Sequence, residues 1–155
     1  MPTFEEQLSR MSRTVDDLAA VLRAQPETVL AKRPAENAWA AKEVISHLRD
    51  TEEVFLGRFR AILDEDEPKF TPLNIDALAT ERQYLKDDIA KALETFRAKR
   101  QATLKLLAGL TPEQMERGGL HPTRGRMTIK DFVALMASHD DNHLEQLRRA
   151  LDGKP

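Results

Sequence analysis

The sequence concentrates its most reactive side chains in one short segment near its C-terminus. His139 and His143 are four residues apart, with Asp140 between them, in the run SHDDNHL. Residues at i and i+4 are neighbours on one face of a helix, and two imidazoles at that spacing can reach one metal ion. The spacing predicts part of a metal site, and a pair of surface histidines is the simpler alternative.

Two polar residues elsewhere in the sequence are predicted to face the same core. His47 lies at the edge of the apolar face of an earlier predicted helix, where it could supply a third imidazole. Arg100 lies midway between Phe96 and Leu104, where the helical spacing requires an apolar side chain. Because a buried charge without a partner is costly, an inward guanidinium requires a carboxylate, and Asp140 is the candidate.

The segment HPTRGRMT holds the fourth histidine and two arginines, just before the last predicted helix. His121 either lines the mouth of the site or is an ordinary loop residue. Arg124 and Arg126 could form an anion clamp at that mouth, or they are simply solvated. Glu52 is a weaker candidate for a proton-handling carboxylate, and a position at the core boundary is the other interpretation.

Four amphipathic helices are predicted to position these residues. Apolar residues recur in each helix at intervals of three and four, which is the pattern of a single buried face. The four stripes cover Phe4–Leu22, Val44–Ile62, Leu85–Leu107 and Ile129–Leu151. The chain is also rich in residues of high helix propensity and contains only 5% aromatic residues. We therefore expect an all-α fold.

Capping residues and prolines indicate where the predicted helices begin and end. Thr3 starts a capping box, Thr128 caps the last helix, and the first helix is expected to end near Pro26. The acidic stretch 64–72 contains two prolines and predicts a long crossover connection. The glycine-rich stretch 117–126 predicts an ordered loop or a short hairpin. The predicted fold is a four-helix bundle with a long crossover connection and an ordered loop before the last helix.

Length and composition disfavour several classes of protein. A chain of 155 residues is about the length of one domain, so we expect a single domain over 1–155. The formal charge of -2 gives no positive field for nucleic acid, and the absence of cysteine excludes disulfides and thiolate sites. No apolar run approaches the roughly 20 residues of a membrane span, and no signal peptide is evident. We expect a cytoplasmic protein whose partner is a small molecule.

Three segments of the sequence resemble the DinB superfamily, also called DinB/YfiT-like proteins. They are WAAKEVISHLRDTEEVF at 39–55, HPTRGRMT at 121–128 and DFVALMASHDDNHLEQLRRAL at 131–151. The H-x-x-x-H element alone is a weak signal. Combined with the upstream tryptophan and histidine and with the L-x-Q that follows, it is fairly specific.

This resemblance implies a complete ligand set. Members of the family are four-helix bundles in which one histidine of the second helix and two of the fourth hold a divalent metal, commonly zinc or nickel. By motif match these are His47, His139 and His143. The resemblance also implies that the second and fourth helices are neighbours, which periodicity cannot establish. Asp140 would then accept a ring N–H from a ligand or pair with Arg100, and a simple buried ion pair is the alternative.

The resemblance also implies a reaction class. Characterised relatives include transferases and isomerases that use a low-molecular-weight thiol, so we expect a metal-dependent, thiol-dependent transferase acting on a small molecule. A metal-dependent hydrolase is one alternative, although H-D-D-N-H has a shorter acid than the H-E-x-x-H of zinc peptidases. A non-catalytic, stress-related bundle with a structural metal is another. The family resemblance further implies a homodimer.

Overall fold

Four long helices form the body of the computed structural model, which describes all residues from 1 to 155. These are α1 (Phe4–Leu22), α3 (Ala41–Asp64), α5 (Ile89–Ala108) and α7 (Ile129–Leu151). The connections contain the short helices α2 (Glu27–Leu30), α4 (Ile75–Glu81) and α6 (Pro112–Met115), and a 3-10 turn at Tyr84–Lys86. A hairpin of β1 (Gly118–His121) and β2 (Gly125–Thr128) precedes α7. The predicted all-α four-helix bundle is confirmed.

The order of the helices around the bundle differs from their order along the chain. Helix α3 packs between α5 and α7, and α1 packs between the same two helices on the opposite side. Helices α3 and α7 are therefore neighbours, as the family resemblance implied. This neighbourhood brings the first predicted histidine next to the other two. None of the helices combines the length and the hydropathy that crossing a membrane requires.

A layer of polar side chains divides the apolar core into two clusters. One cluster lies around Phe96 and the other around Phe132. The layer has four buried members, one from each long helix: Thr14, Glu52, Arg100 and Asp140. Along its helix, each of them lies between a residue of one cluster and a residue of the other. We call this set the polar layer.

The start of α5 corrects one expectation. The apolar spacing predicted a helix from Leu85, but α5 begins at Ile89, and Leu85 is exposed in the 3-10 turn. Two local features end the helical pattern there. Asp88 caps α5 by accepting the N–H groups of Ala90 and Lys91, and Gln83 adopts a left-handed backbone conformation with φ of 50°. The four-residue spacing of Leu85 and Ile89 is therefore coincidental.

The crossover between α3 and α5 is attached to the hairpin. Phe70 N–H donates to the Leu120 carbonyl at 3.0 Å, and Leu120 N–H donates to the Pro68 carbonyl at 2.8 Å. The contact requires glycine at position 119, because an added Cβ would lie 2.7 Å from the Phe70 ring. The crossover and the hairpin thus form one wall beside α3 and α7. The hairpin also confirms the ordered segment predicted before the last helix.

Candidate metal centre

Helix α3 carries the first candidate ligand near its N-terminal end. The helix is fixed there by Glu43, which accepts the Ala40 N–H at 3.0 Å and a bidentate pair of bonds from Arg33 at 2.7 Å each. His47 follows one turn later and is 3% exposed. Its ring centroid lies 4.9 Å from that of Trp39, the residue just before the helix. The imidazole is therefore held between the end of the connecting loop and the bundle core.

The structure brings the three predicted ligand residues together. His47 Nε2 lies 3.1 Å from His143 Nε2 and 3.4 Å from His139 Nε2. The His139 and His143 Nε2 atoms are 3.0 Å apart. The same nitrogen of all three rings thus points to one small volume between α3 and α7.

These distances fit a shared cation. A metal–nitrogen bond of about 2.0–2.1 Å places two ligand nitrogens about 2.9 Å apart at a right angle and about 3.4 Å apart at the tetrahedral angle. The three observed separations span 3.0–3.4 Å. The three imidazoles could therefore hold one divalent ion without rearrangement, and the set leaves at least one coordination position free of protein.

The three rings are in the protonation state that a metal ligand needs. Burial, followed by the charges of the other two histidines, lowers the pKa of His47 to about 3. Burial likewise lowers the pKa of His139 to about 4 and lowers the pKa of His143. Near neutral pH the rings are therefore uncharged. His143 Nδ1 lies 2.7 Å from Gln146 Oε1, and a bond donated by Nδ1–H assigns the free lone pair to Nε2.

The polar layer lies directly beside these rings. Arg100 donates two hydrogen bonds to Asp140, at 2.6 and 2.9 Å, and two to Glu52, both at 2.9 Å. It also donates to the Met11 carbonyl, and Thr14 donates its hydroxyl to Asp140 at 2.5 Å. Of the two roles considered for Asp140, the structure shows the pair with Arg100 and no hydrogen bond to a histidine. Glu52 is a buried partner of Arg100 rather than a boundary residue.

The charge of this layer favours a cation in the site. Burial lowers the pKa of Arg100, but the charges of Glu52 and Asp140 and their hydrogen bonds raise it by more, so Arg100 stays protonated. Two carboxylates and one guanidinium leave one net negative charge next to His139. The Asp140 charge acts to raise the pKa of both His139 and His143, so it stabilises positive charge at those rings. The same field would stabilise a divalent ion.

A cavity of about 280 Å³ opens beside the histidine cluster. Its wall contains His47 and His139 together with His121 from the hairpin. The Nδ1 atom of His121 accepts the backbone N–H groups of Thr123 and Arg124 at 3.1 and 3.2 Å. A neutral His121 therefore carries its proton on Nε2, which makes no hydrogen bond within the protein. His121 therefore shares a cavity with two of the three candidate ligands, and its role at the mouth of the site stays a prediction.

The two loop arginines lie on another side of His139. Arg124 and Arg126 line a second, more open groove that also reaches His139. Arg126 Nε donates to Glu67 at 2.9 Å, so its guanidinium attaches the hairpin to the crossover. Its charge is thereby paired, which disfavours an anion clamp made of both arginines.

Sequence reasoning missed Arg58, which lies in the wall of the first cavity. Arg58 follows His47 by eleven residues, about three turns of α3, and so lies on the same helical face. That spacing was a usable signal. An arginine on a helix is usually interpreted as a solvent-exposed side chain. Arg58 becomes a cavity residue only because the crossover packs onto α3.

Similar proteins were found by sequence. A model of the DinB superfamily matches residues 10–147. A candidate metal-dependent hydrolase of Oceanobacillus iheyensis is 22% identical over 159 aligned positions, covering 96% of this chain and 85% of the relative. One from Halalkalibacterium halodurans is 28% identical and covers 86% of this chain and 78% of the relative. YfiT of Bacillus subtilis, with the same description, is 23% identical and covers 92% of this chain and 83% of the relative.

The solved structure of Bacillus subtilis YfiT has the same fold. It aligns with a TM-score of 0.89 at 20% identity, covering 95% of this chain and 85% of YfiT. That protein is described as a candidate metal-dependent hydrolase with an unusual four-helix bundle topology.

Proposed function

The chain belongs to the DinB superfamily, and on that basis we propose that it is a metal-dependent hydrolase of a small molecule, with His47, His139 and His143 as the metal ligands. The observation that carries the proposal is the convergence of three uncharged Nε2 atoms within 3.0–3.4 Å of one another, in the wall of a cavity. The descriptions of the relatives as candidate metal-dependent hydrolases support the same reaction class.

The donor set suits hydrolysis. A divalent ion held by three imidazoles supplies Lewis acidity and lowers the pKa of a bound water towards neutrality. Around it, His47, His139 and His143 fix the position of the site, and the polar layer holds α3, α5 and α7 in the register that lets the rings meet. The cavity of about 280 Å³ restricts the substrate to a small molecule.

His121 is the cavity residue best placed to donate a hydrogen bond to the substrate. The cavity wall contains no aspartate or glutamate. The nearby buried carboxylates are bonded to other side chains, Glu52 and Asp140 to Arg100 and Asp50 to Tyr84. A carboxylate base of the peptidase type is therefore missing. Burial and the charges of Arg58 and Arg124 lower the pKa of His121, so its ring is neutral near pH 7 and keeps its single proton on Nε2. We assign to His121 a hydrogen bond from Nε2–H to the substrate oxygen on which negative charge develops during hydrolysis.

A hydrolase is the alternative to the thiol-dependent transferase that the family resemblance implies. The relatives named above are described as candidate metal-dependent hydrolases, so the hydrolase interpretation fits them better. The zinc or nickel identity of the ion, the thiol cofactor, the homodimer and the cytoplasmic location stay predictions.

Metal analysis combined with a hydrolysis assay tests the proposal. Protein purified without chelators should contain about one equivalent of divalent metal, and His139→Ala or His143→Ala should lose it. His121→Ala is the matched control, because it removes a cavity imidazole outside the ligand set and should keep the metal while losing activity. Wild-type protein should hydrolyse members of a panel of 4-nitrophenyl esters and amides without added thiol.

Two results would overturn this assignment. Protein that contains no metal and does not bind added zinc or nickel would refute the metal site. Turnover of the panel only when a thiol is supplied, with the thiol attached to the product, would refute hydrolysis in favour of transfer.

A further inference from the structure

Arg58 is a cavity arginine without a counter-charge. Its one hydrogen bond within the protein runs from Nη2 to the Thr71 carbonyl at 3.3 Å, and it forms no salt bridge. Its side chain is half-buried, and burial lowers its pKa with no carboxylate to oppose the effect. A partly desolvated guanidinium whose other N–H groups have no protein partner is available to an acceptor that enters the cavity.

Two aromatic rings hold the guanidinium in place. Arg58 Cζ lies 5.3 Å from the centroid of the Phe70 ring and 5.9 Å from that of Phe132. These rings attract the cation but accept no strong hydrogen bond from its N–H edge. Phe70 belongs to the crossover and Phe132 to α7, so three parts of the fold fix the position of one charge. The side chain is thus positioned in advance of any ligand.

The rest of the cavity wall is compatible with an anion. It contains no acidic residue, so the charge of Arg58 is not neutralised there. Leu73 and Ile75 line the cavity and are 38% and 39% exposed, so an apolar rim leads to the charged interior. A ligand with an apolar body and an anionic end matches this distribution.

We propose that Arg58 binds an anionic oxygen group of the substrate, a carboxylate or a phosphate, and that the hydrolysed molecule is therefore a small anionic ester or amide. The inference rests on the proposed hydrolase function and adds the substrate class. The planar fork of arginine donates two parallel hydrogen bonds to such groups, and charge-assisted bonds of this kind are about twice as strong as neutral ones.

Anion binding tests the assignment without turnover. Metal-loaded wild-type protein is titrated calorimetrically with pentanoate and, separately, with butylphosphonate. The two probes distinguish the anion types, and neither contains an ester or amide bond that could be hydrolysed. Arg58→Gln should weaken binding of the preferred anion at least about 10-fold, and Arg58→Lys should keep part of the affinity. Arg60→Gln is the matched control, because it removes the same charge from an exposed position on the same helix.

Binding of both anions by Arg58→Gln as tightly as by wild type would overturn the proposal. Repeating the titration without metal identifies the alternative source of affinity. If removal of the metal abolishes binding and Arg58→Gln does not change it, the metal alone binds the anion and the assignment to Arg58 is wrong. Thermal unfolding of each variant verifies that the comparison is made between folded proteins.

A pair of esters tests the substrate class. We expect mono-4-nitrophenyl succinate to be a better substrate than neutral 4-nitrophenyl acetate. Arg58→Gln should lower kcat/KM about 10- to 100-fold for the charged ester, as expected for loss of a hydrogen bond between charged groups, and should change the neutral ester little. An equal loss for both esters would refute anion recognition. If wild type hydrolyses neither ester, these substrates give no support to the hydrolase, and the titration still decides the role of Arg58.

Discussion

Two arginines inside this bundle have opposite surroundings. Arg100 donates to two carboxylates and a backbone carbonyl in a layer in which no buried polar side-chain atom lacks a partner. Arg58 lies in a cavity wall with one bond to a backbone carbonyl. Both are inward-facing cations on long helices, so residue type alone does not separate them. The difference is whether the protein itself satisfies the charge, which assigns Arg100 to architecture and Arg58 to ligand recognition.

Replacing Arg100 should have the largest effect on stability. Arg100→Met leaves Glu52 and Asp140 buried without a counter-charge, and breaking a buried pair in this way costs about 3–5 kcal/mol. The free energy of unfolding in urea measures the loss. Adding Glu52→Gln and Asp140→Asn to the Arg100→Met chain removes all three charges. This triple variant should recover about half of the lost free energy of unfolding. If Arg100→Met alone were as stable as wild type, the architectural role of Arg100 would be contradicted.

Acid should destabilise the metal-free protein through the histidine cluster. His47 and His139 have pKa values of about 3 and 4 in the folded chain, below the ordinary value of 6.5. Between pH 4 and pH 6.5 the histidines of the unfolded chain bind protons that the folded chain does not bind. The free energy of unfolding is therefore at its full value above pH 6.5 and falls as the pH decreases towards 4. We expect a loss on the order of 3 kcal/mol, measured by urea unfolding at each pH. His47→Gln should flatten this dependence, and an unchanged slope would contradict the shifted pKa values.

Asp140 links the polar layer to the histidine cluster, because it pairs with Arg100 and its charge acts on His139 and His143. Substitution by asparagine removes this charge alone. Asp140→Asn should weaken metal binding about 10-fold, because removing a negative charge close to the site weakens the attraction for a cation by roughly 1–2 kcal/mol. Competition with a metal-binding dye measures the affinity of the folded variant. Asp141→Asn is the control, since it removes the adjacent, exposed carboxylate that pairs with Arg10. Equal effects of the two variants would mean that net charge alone is responsible.

The smallest stability change is expected at Arg58. Arg58→Gln removes a half-buried cation with one backbone hydrogen bond, so unfolding should change by less than about 1 kcal/mol. The substitution could even stabilise the protein, because it removes a desolvated charge. A loss comparable to that of Arg100→Met would remove the contrast between the two arginines and make Arg58 a structural residue.

Sequence predicted the fold because its signals were local. The helical stripes and the capping boxes at Thr3 and Thr128 are present in the structure, since a cap and a buried face each depend on residues a few positions apart. The pairing of Arg100 with Asp140 spans 40 residues, and it was predictable from charge alone, because an inward guanidinium requires a carboxylate. Leu85 misled it, since a four-residue spacing does not reveal an intervening cap.

The parts of the site that escaped prediction depend on contacts distant in sequence. Glu52 was placed at the core boundary because its partner lies 48 residues away on α5. Arg58 became a cavity residue through Phe70 and Phe132, which belong to two other segments. The convergence of His47 with His139 and His143 required the neighbourhood of α3 and α7, which came from resemblance rather than periodicity.

The helix order also has a consequence for how the protein is made. Thr14 of α1 bonds to Asp140 of α7 across 126 residues, and two of the three converging histidines are on α7. On the ribosome, α1 must therefore wait until α7 has been synthesised before either can complete its packing. A chain stalled before α7 would expose an unfinished interior and would lack two of the three histidines of the candidate metal site.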